Sequence, residues 1–164
     1  MTHIEFDALL PANPLDKIED VATAQDWAFD RSDEDELDLI VAGAWGEYPV
    51  AVSWRSDMLH VSMEMDVKVP RGKRSRVAEL LVLINENLLL GHFDLCSQDG
   101  VLLFRYGLLL RGSSGASHAQ CEDFLKTAVA ACDRFYPAFQ FLIWADRTAQ
   151  EAFDAAAFET KGQA

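Results

Sequence analysis

The stretch YPVAVSWRSDMLHVSMEMDV, residues 48–67, decides the fold class. Tyr48, Val50, Val52 and Trp54 fall on one face of an extended chain, with Pro49, Ala51, Ser53 and Arg55 opposite. Ser56-Asp57 is a tight turn. Leu59, Val61, Met63, Met65 and Val67 then repeat with period two, opposed by His60, Ser62, Glu64 and Asp66. Side chains alternate across a strand, so this pattern reads as an antiparallel pair with one apolar face and one wet face.

Upstream, the same alternation runs through Trp27, Phe29 and Arg31 and through Leu37, Leu39 and Val41, and residues 43–47 turn the chain. Pro14 suits the first turn of a helix, and Leu15, Ile18, Val21 and Ala22 follow at helical spacing. Downstream, Pro70 and Gly72 break the sheet. Val77, Leu80, Leu81, Ile84 and Leu88 form one apolar stripe, which predicts a helix over about 75–90 with Gly91 as its C-cap. Phe93 and Leu95 belong to a short strand. Asp99-Gly100 is a hairpin turn. Val101 to Leu110 is apolar on both faces apart from Arg105 and Gly107, which predicts a strand buried on both sides, either centrally in the sheet or against a partner.

After the loop Gly112-Ser113-Ser114-Gly115, Ser117 and Gln120 form a capping-box pair. Cys121, Phe124, Leu125, Ala128, Val129, Cys132 and Phe135 line one helical face. Pro137 is expected to kink or restart that helix, which continues to about Phe158. The order is α-β-β-β-β-α-β-β-α, an α+β fold with helices on one face of an antiparallel sheet. The expected organisation is an N-terminal lead over residues 1–13, one domain over 14–158, and a frayed end over 159–164.

The chain has 164 residues, 18.3 kDa, of which 50% are hydrophobic, enough for one domain with a real core. Its net charge of −13 is confined to residues 1–66, where 16 acids face three bases, whereas 67–164 balance 11 against 11. So acidic a chain is not expected to bind nucleic acid or an anionic membrane through bulk charge. Within the acidic part, Asp33-Glu34-Asp35-Glu36 is a dense run. A basic cluster of Lys68, Arg71, Lys73, Arg74 and Arg76 follows. Such runs are usually solvated faces, and the alternative is a site for a basic partner segment. The N-terminus does not read as a secretory signal, no apolar run is long enough to span a membrane, and three cysteines without a paired spacing suit reduced thiols. A cytoplasmic location is therefore expected.

No chemical constellation stands out. Arg71-Gly72-Lys73-Arg74-Ser75 lacks the spacing of a nucleotide-binding loop. His3, His60, His92 and His118 are scattered, so no metal or other cofactor is expected. No serine occupies a nucleophile elbow, and Cys96 has no neighbour that marks a thiolate. The expectation is a protein that is not an enzyme. Among the four tryptophans, Trp45 in a turn and Trp144 on the late helix are expected to be exposed and to mark a contact surface.

Asn85-Glu86-Asn87-Leu88, Gly91-His92-Phe93, Asp99-Gly100, Phe104-Arg105-Tyr106 and Asp133-Arg134-Phe135-Tyr136-Pro137 together resemble the YbjN family. The resemblance covers about residues 14–145. It implies a bacterial sensory-transduction regulator, and that family in turn resembles type III secretion chaperones, small acidic dimers that bind extended segments of other proteins. The functional expectation is a chaperone-like or adaptor protein that binds a segment of a partner protein. The alternative is a small-molecule-responsive regulatory domain with a pocket between sheet and helices. Candidate protein-interaction residues are Trp45, Trp144, Asp33, Glu34 and Asp35. The apolar strand 101–110 and the leucine-rich helix 75–90 hold more apolar surface than one sheet face covers, which predicts a homodimer.

Overall fold

The period-two segments pair into one six-stranded antiparallel sheet, and the helical stripes pack on one side of it. The computed structural model describes residues 12–113 and 115–161. The expectations for the lead at 1–11, for Ser114 and for the end at 162–164 lie outside the described residues. Helix α1 (Pro14–Ala24) precedes strands β1 (Ala28–Asp33), β2 (Glu36–Ala42), β3 (Glu47–Arg55) and β4 (Met58–Lys68). A single 3₁₀ turn, Arg71–Lys73, runs into α2 (Arg74–Asn85). Strands β5 (His92–Leu95) and β6 (Val101–Leu109) follow, then α3 (His118–Ala145) and α4 (Ala149–Lys161).

The sheet order is β1-β2-β3-β4-β6-β5, so the excursion through α2 places β5 on the edge and β6 against β4. Register fixes the faces: Leu39 opposes Val50, Val52 opposes Val61, and Met63 opposes Phe104. These side chains are all buried and meet Leu15 and Ile18 of α1, Leu80 and Ile84 of α2, and Phe124, Phe135 and Phe139 of α3. Asn13 caps α1, its Oδ1 accepting from the Leu15 N–H. The Ser117–Gln120 capping box forms as the sequence predicts, with both reciprocal hydrogen bonds present.

Three expectations are corrected. First, α2 ends at Asn85, not near Leu90. The Asn85 side chain accepts from the Phe93 N–H and donates to the Phe93 carbonyl, tying the helix end to the edge strand and turning the chain early. Gly91 is no C-cap. Its φ of +70° and a Cβ position 2.3 Å from the Phe104 ring make it the place where backbone crosses an aromatic face. Second, β6 is not buried on both sides within this one chain: Leu102 and Phe104 point into the core, whereas Leu109 is 79% exposed. Third, Pro137 does not interrupt α3. The helix runs through it for 28 residues and stops at Asp146, whose φ is +53°. There Lys73 Nζ donates to the Ile143 carbonyl and to Asp146 Oδ1, and Arg76 donates to the same carboxylate, so two cations close the helix's C-terminal end. Within the 75–90 segment Val77, Leu80, Leu81 and Ile84 are buried in the one chain, whereas Val82, Leu89 and Leu90 are exposed. α4 then continues to Lys161, three residues past the expected end.

Candidate functional site

The site begins with a defect in a helix. Proline has no N–H, so Pro137 leaves the carbonyl of Asp133, four residues earlier, without its helical donor. The indole Nε1 of Trp45 supplies that donor at 2.9 Å. The Asp133 carboxylate completes the attachment: Oδ1 accepts from the Ala44 N–H at 2.8 Å and from the Tyr48 hydroxyl at 2.8 Å. One residue of α3 thus holds the whole β2–β3 turn by three bonds. Gly43 permits the approach, since a Cβ there would lie 2.2 Å from the Tyr48 ring and 2.7 Å from Asp133 Oδ1. Tyr48 is 1% exposed. Burial first, and then its bond to the Asp133 carboxylate, push its hydroxyl far above the ordinary tyrosine range.

With its N–H engaged, Trp45 lays its ring parallel to Tyr136, at a centroid distance of 6.1 Å and an interplanar angle of 10°. The Tyr136 hydroxyl accepts from Gln140 Nε2. Pro137, Gln140, Phe141 and Trp144 follow at i, i+3, i+4 and i+7, a second stripe on α3 that is half-buried along most of its length and exposed at Trp144. Together with Trp45 and Tyr136 they wall an open cleft of about 440 Å³. Trp45 is 53% and Trp144 78% exposed. The Arg147 guanidinium sits 5.6 Å from the centre of the Phe141 ring at one end.

The sequence-predicted candidates divide into two places. Trp45 and Trp144 converge on this cleft. Asp33, Glu34 and Asp35 sit in the β1–β2 turn, at the opposite end of β2 from the Trp45 turn, roughly 20 Å away along a seven-residue strand. Bonds between side chains and backbone shape that turn: the Glu34 carbonyl accepts from Asn13 Nδ2 and Arg31 Nη2, and Asp33 Oδ1 accepts from the Glu34 N–H. Sequence reasoning missed Asp133 as the anchor and missed Tyr136, Gln140 and Phe141. The signal for the last three was present as the second helical stripe. Among the described residues no group of three or more His, Cys, Asp and Glu is placed to hold a metal ion, and no helix is long and apolar enough to cross a membrane. Cys121 and Cys132 are buried, with burial pushing both thiols up, and Cys96 is half-buried.

The family model described as "YbjN: Putative bacterial sensory transduction regulator" matches residues 14–141, a span that includes the anchor and most of the cleft. The chain belongs to the YbjN family. Among solved structures it is similar to the crystal structure of E. coli YbjN, described as "a putative transcription regulator". That likeness has a TM-score of 0.52 at 13% identity, covering 88% of this chain and 93% of the other, and concerns the fold. A search of curated proteins finds no match. The YbjN-family segment ends at Phe141, so Trp144 and Arg147 lie beyond the matched residues.

Proposed function

We propose that this YbjN-family protein acts by binding, not by catalysis, and that it holds a segment of a partner protein in the Trp45–Trp144 cleft. The observation that carries the reading is two exposed indoles on one apolar surface, with Trp45 held there by the three-bond Asp133 anchor. Rigid aromatic side chains that are already ordered lose little entropy on binding, which is why they dominate protein contact surfaces. The Trp144 ring offers a broad apolar face, and the cleft is open along α3, which suits a chain lying across it better than an enclosed small molecule. This is the chaperone-like mode expected from the sequence, and the proposal assigns it to the Trp45–Trp144 surface. The homodimer expected from the sequence is retained as a proposal, with the outer face of β6 around Leu109 as its interface.

The test is a photocrosslinking amino acid placed at Gln140 in the cleft and, as control, at Val82 on the exposed side of α2. The reading expects a discrete protein adduct from position 140 that disappears when Trp144→Ala is added. Equal adducts from both positions, unaffected by Trp144→Ala, would overturn it.

A further inference from the structure

The tryptophan cleft offers more than apolar surface, because its few polar groups select the kind of segment that fits. Tyr136 accepts from Gln140 Nε2 at 2.8 Å, so the proton of its half-buried hydroxyl is left for another acceptor. The Trp144 indole is 78% exposed, and its Nε1 donor has no partner among the described residues. The Trp45 donor is already taken by the Asp133 carbonyl. Against the two free donors, Gln140 Oε1 is the only further side-chain acceptor among the described residues that wall the cleft.

A segment that covers this surface must bring carbonyls and few N–H groups. An α-helix bonds its own backbone, so its apolar face would seal the Tyr136 proton without an acceptor. A β-type segment brings an N–H for every carbonyl, and the cleft is walled by a helix and a turn, not by a strand edge that could pair with them. A proline-rich segment in the polyproline II conformation brings carbonyls but no N–H at its prolines. It is already extended when free, and it packs on aromatic-lined grooves.

Spacing and charge agree. Tyr136 and Trp144 are eight residues apart on α3, about 12 Å of helix rise. Polyproline II advances about 3.1 Å per residue, so about four residues reach from the Trp45–Tyr136 stack to Trp144. Arg147, at the Trp144 end, has no carboxylate within ion-pairing distance among the described residues. At the other end Glu47 follows Trp45 by two residues. An acid on the segment is therefore attracted at the Arg147 end and repelled at the Trp45 end. We propose that the cleft binds a proline-rich segment of a partner protein in the polyproline II conformation, with its prolines on the Trp45–Tyr136 and Trp144 walls, its carbonyls on the Tyr136 and Trp144 donors, and an acidic residue beside Arg147. This rests on the partner-binding reading of the same cleft and names the segment it takes.

Three end-blocked peptides are the probes: APPLPPDE, its alanine counterpart AAALAADE, and the charge-reversed APPLPPKK. Each is titrated into the full chain while the Trp45 and Trp144 indole N–H resonances are followed by NMR. The proposal expects saturable binding of the first peptide, with half-saturation at about 0.1–1 mM, and at least about tenfold weaker binding of the alanine counterpart. The lysine form should bind about threefold more weakly, a difference that vanishes in about 1 M salt. Tyr136→Phe keeps the ring and should weaken the first peptide about fivefold through the lost hydroxyl proton. Trp144→Ala, at an exposed position, should abolish its binding. Equal binding of the proline and alanine peptides, or proline-peptide binding that both variants leave unchanged, would overturn the proposal. Equal binding of the acidic and lysine forms would overturn the Arg147 contact. A Trp144-dependent crosslink from position 140 without proline-peptide binding overturns the proline assignment alone, whereas loss of both overturns the cleft reading with it.

Discussion

Replacing Tyr48 with phenylalanine isolates the anchor. The substitution keeps the buried ring and removes one hydroxyl, which donates to Asp133 Oδ1 at 2.8 Å. Asp133 Oδ1 then retains only the Ala44 N–H. A hydrogen bond to a charged group contributes about 1.5–3 kcal/mol. For a chain of this size each kcal/mol moves the melting midpoint by about 2–4 °C, so Tyr48→Phe should lower it by roughly 3–12 °C. The pH dependence gives a second, independent readout. The folded-state pKa of Tyr48 is raised above its ordinary value of 10.0. Its contribution is therefore fully present below pH 10 and is lost as pH rises beyond that, because the unfolded chain releases the proton first. Wild-type stability should fall by about 1.4 kcal/mol per pH unit above 10 from this group alone. Phenylalanine cannot titrate, so the gap between wild type and Tyr48→Phe should shrink from pH 9 to pH 11. Urea melts at fixed pH measure both. A double-mutant cycle with Asp133→Ala should return a coupling above about 1 kcal/mol. A coupling near zero, together with parallel alkaline limbs for the two proteins, would refute the anchor.

Pro137→Ala should return a helical N–H to the Asp133 carbonyl, raising stability by up to about 3 kcal/mol while displacing Trp45 and weakening the cleft adduct; a variant both less stable and undiminished in crosslinking would contradict this. The His60 pKa is lowered, by burial first and then by Arg105 and His92, so its contribution should be lost as pH falls below 6.5; His60→Gln should flatten that limb in acid titrations, and an unchanged limb counts against it. Neutralising Asp33, Glu34 and Asp35 to the matching amides should leave the fold intact, since the Glu34 carbonyl is untouched and an amide oxygen at position 33 still accepts from the Glu34 N–H, and should alter only colloidal behaviour; a flatter salt dependence of partner association would instead assign the turn to client selection. Sedimentation at tens of micromolar should show a dimer that Leu109→Glu dissociates, and a monomeric wild type would end that proposal.

The sheet was legible because its signal is local. Leu59, Val61, Met63, Met65 and Val67 carry their own period, and each side chain lands on the face the alternation assigns. The α1 and α3 starts were legible for the same reason, since Pro14 and the Ser117–Gln120 pair act within four residues. The errors arose where a distant group overrode a local rule. Pro137 is a helix breaker by propensity, yet α3 passes through it because Trp45, 88 residues away in sequence from Asp133, satisfies the carbonyl that proline abandons. Asp146 ends that helix because Lys73 and Arg76 reach it from 70 or more residues upstream.

The candidate site follows the same division. Exposure of Trp45 and Trp144 could be read from a turn and a helix face, but their meeting depends on Asp133, whose three bonds cross from one element to another. A proline in a helix interior is costly unless something replaces its missing bond. Here the replacement is a side chain that also builds the cleft wall. The destabilising residue and the exposed aromatic surface are therefore one device: removing Pro137 repairs the helix and dismantles the wall. A residue kept for stability would show the opposite sign, with alanine weakening the helix packing and the surface together. That opposition in sign, between the stability and the crosslinking of Pro137→Ala, separates a cleft maintained for binding from aromatic residues that happen to lie on the surface.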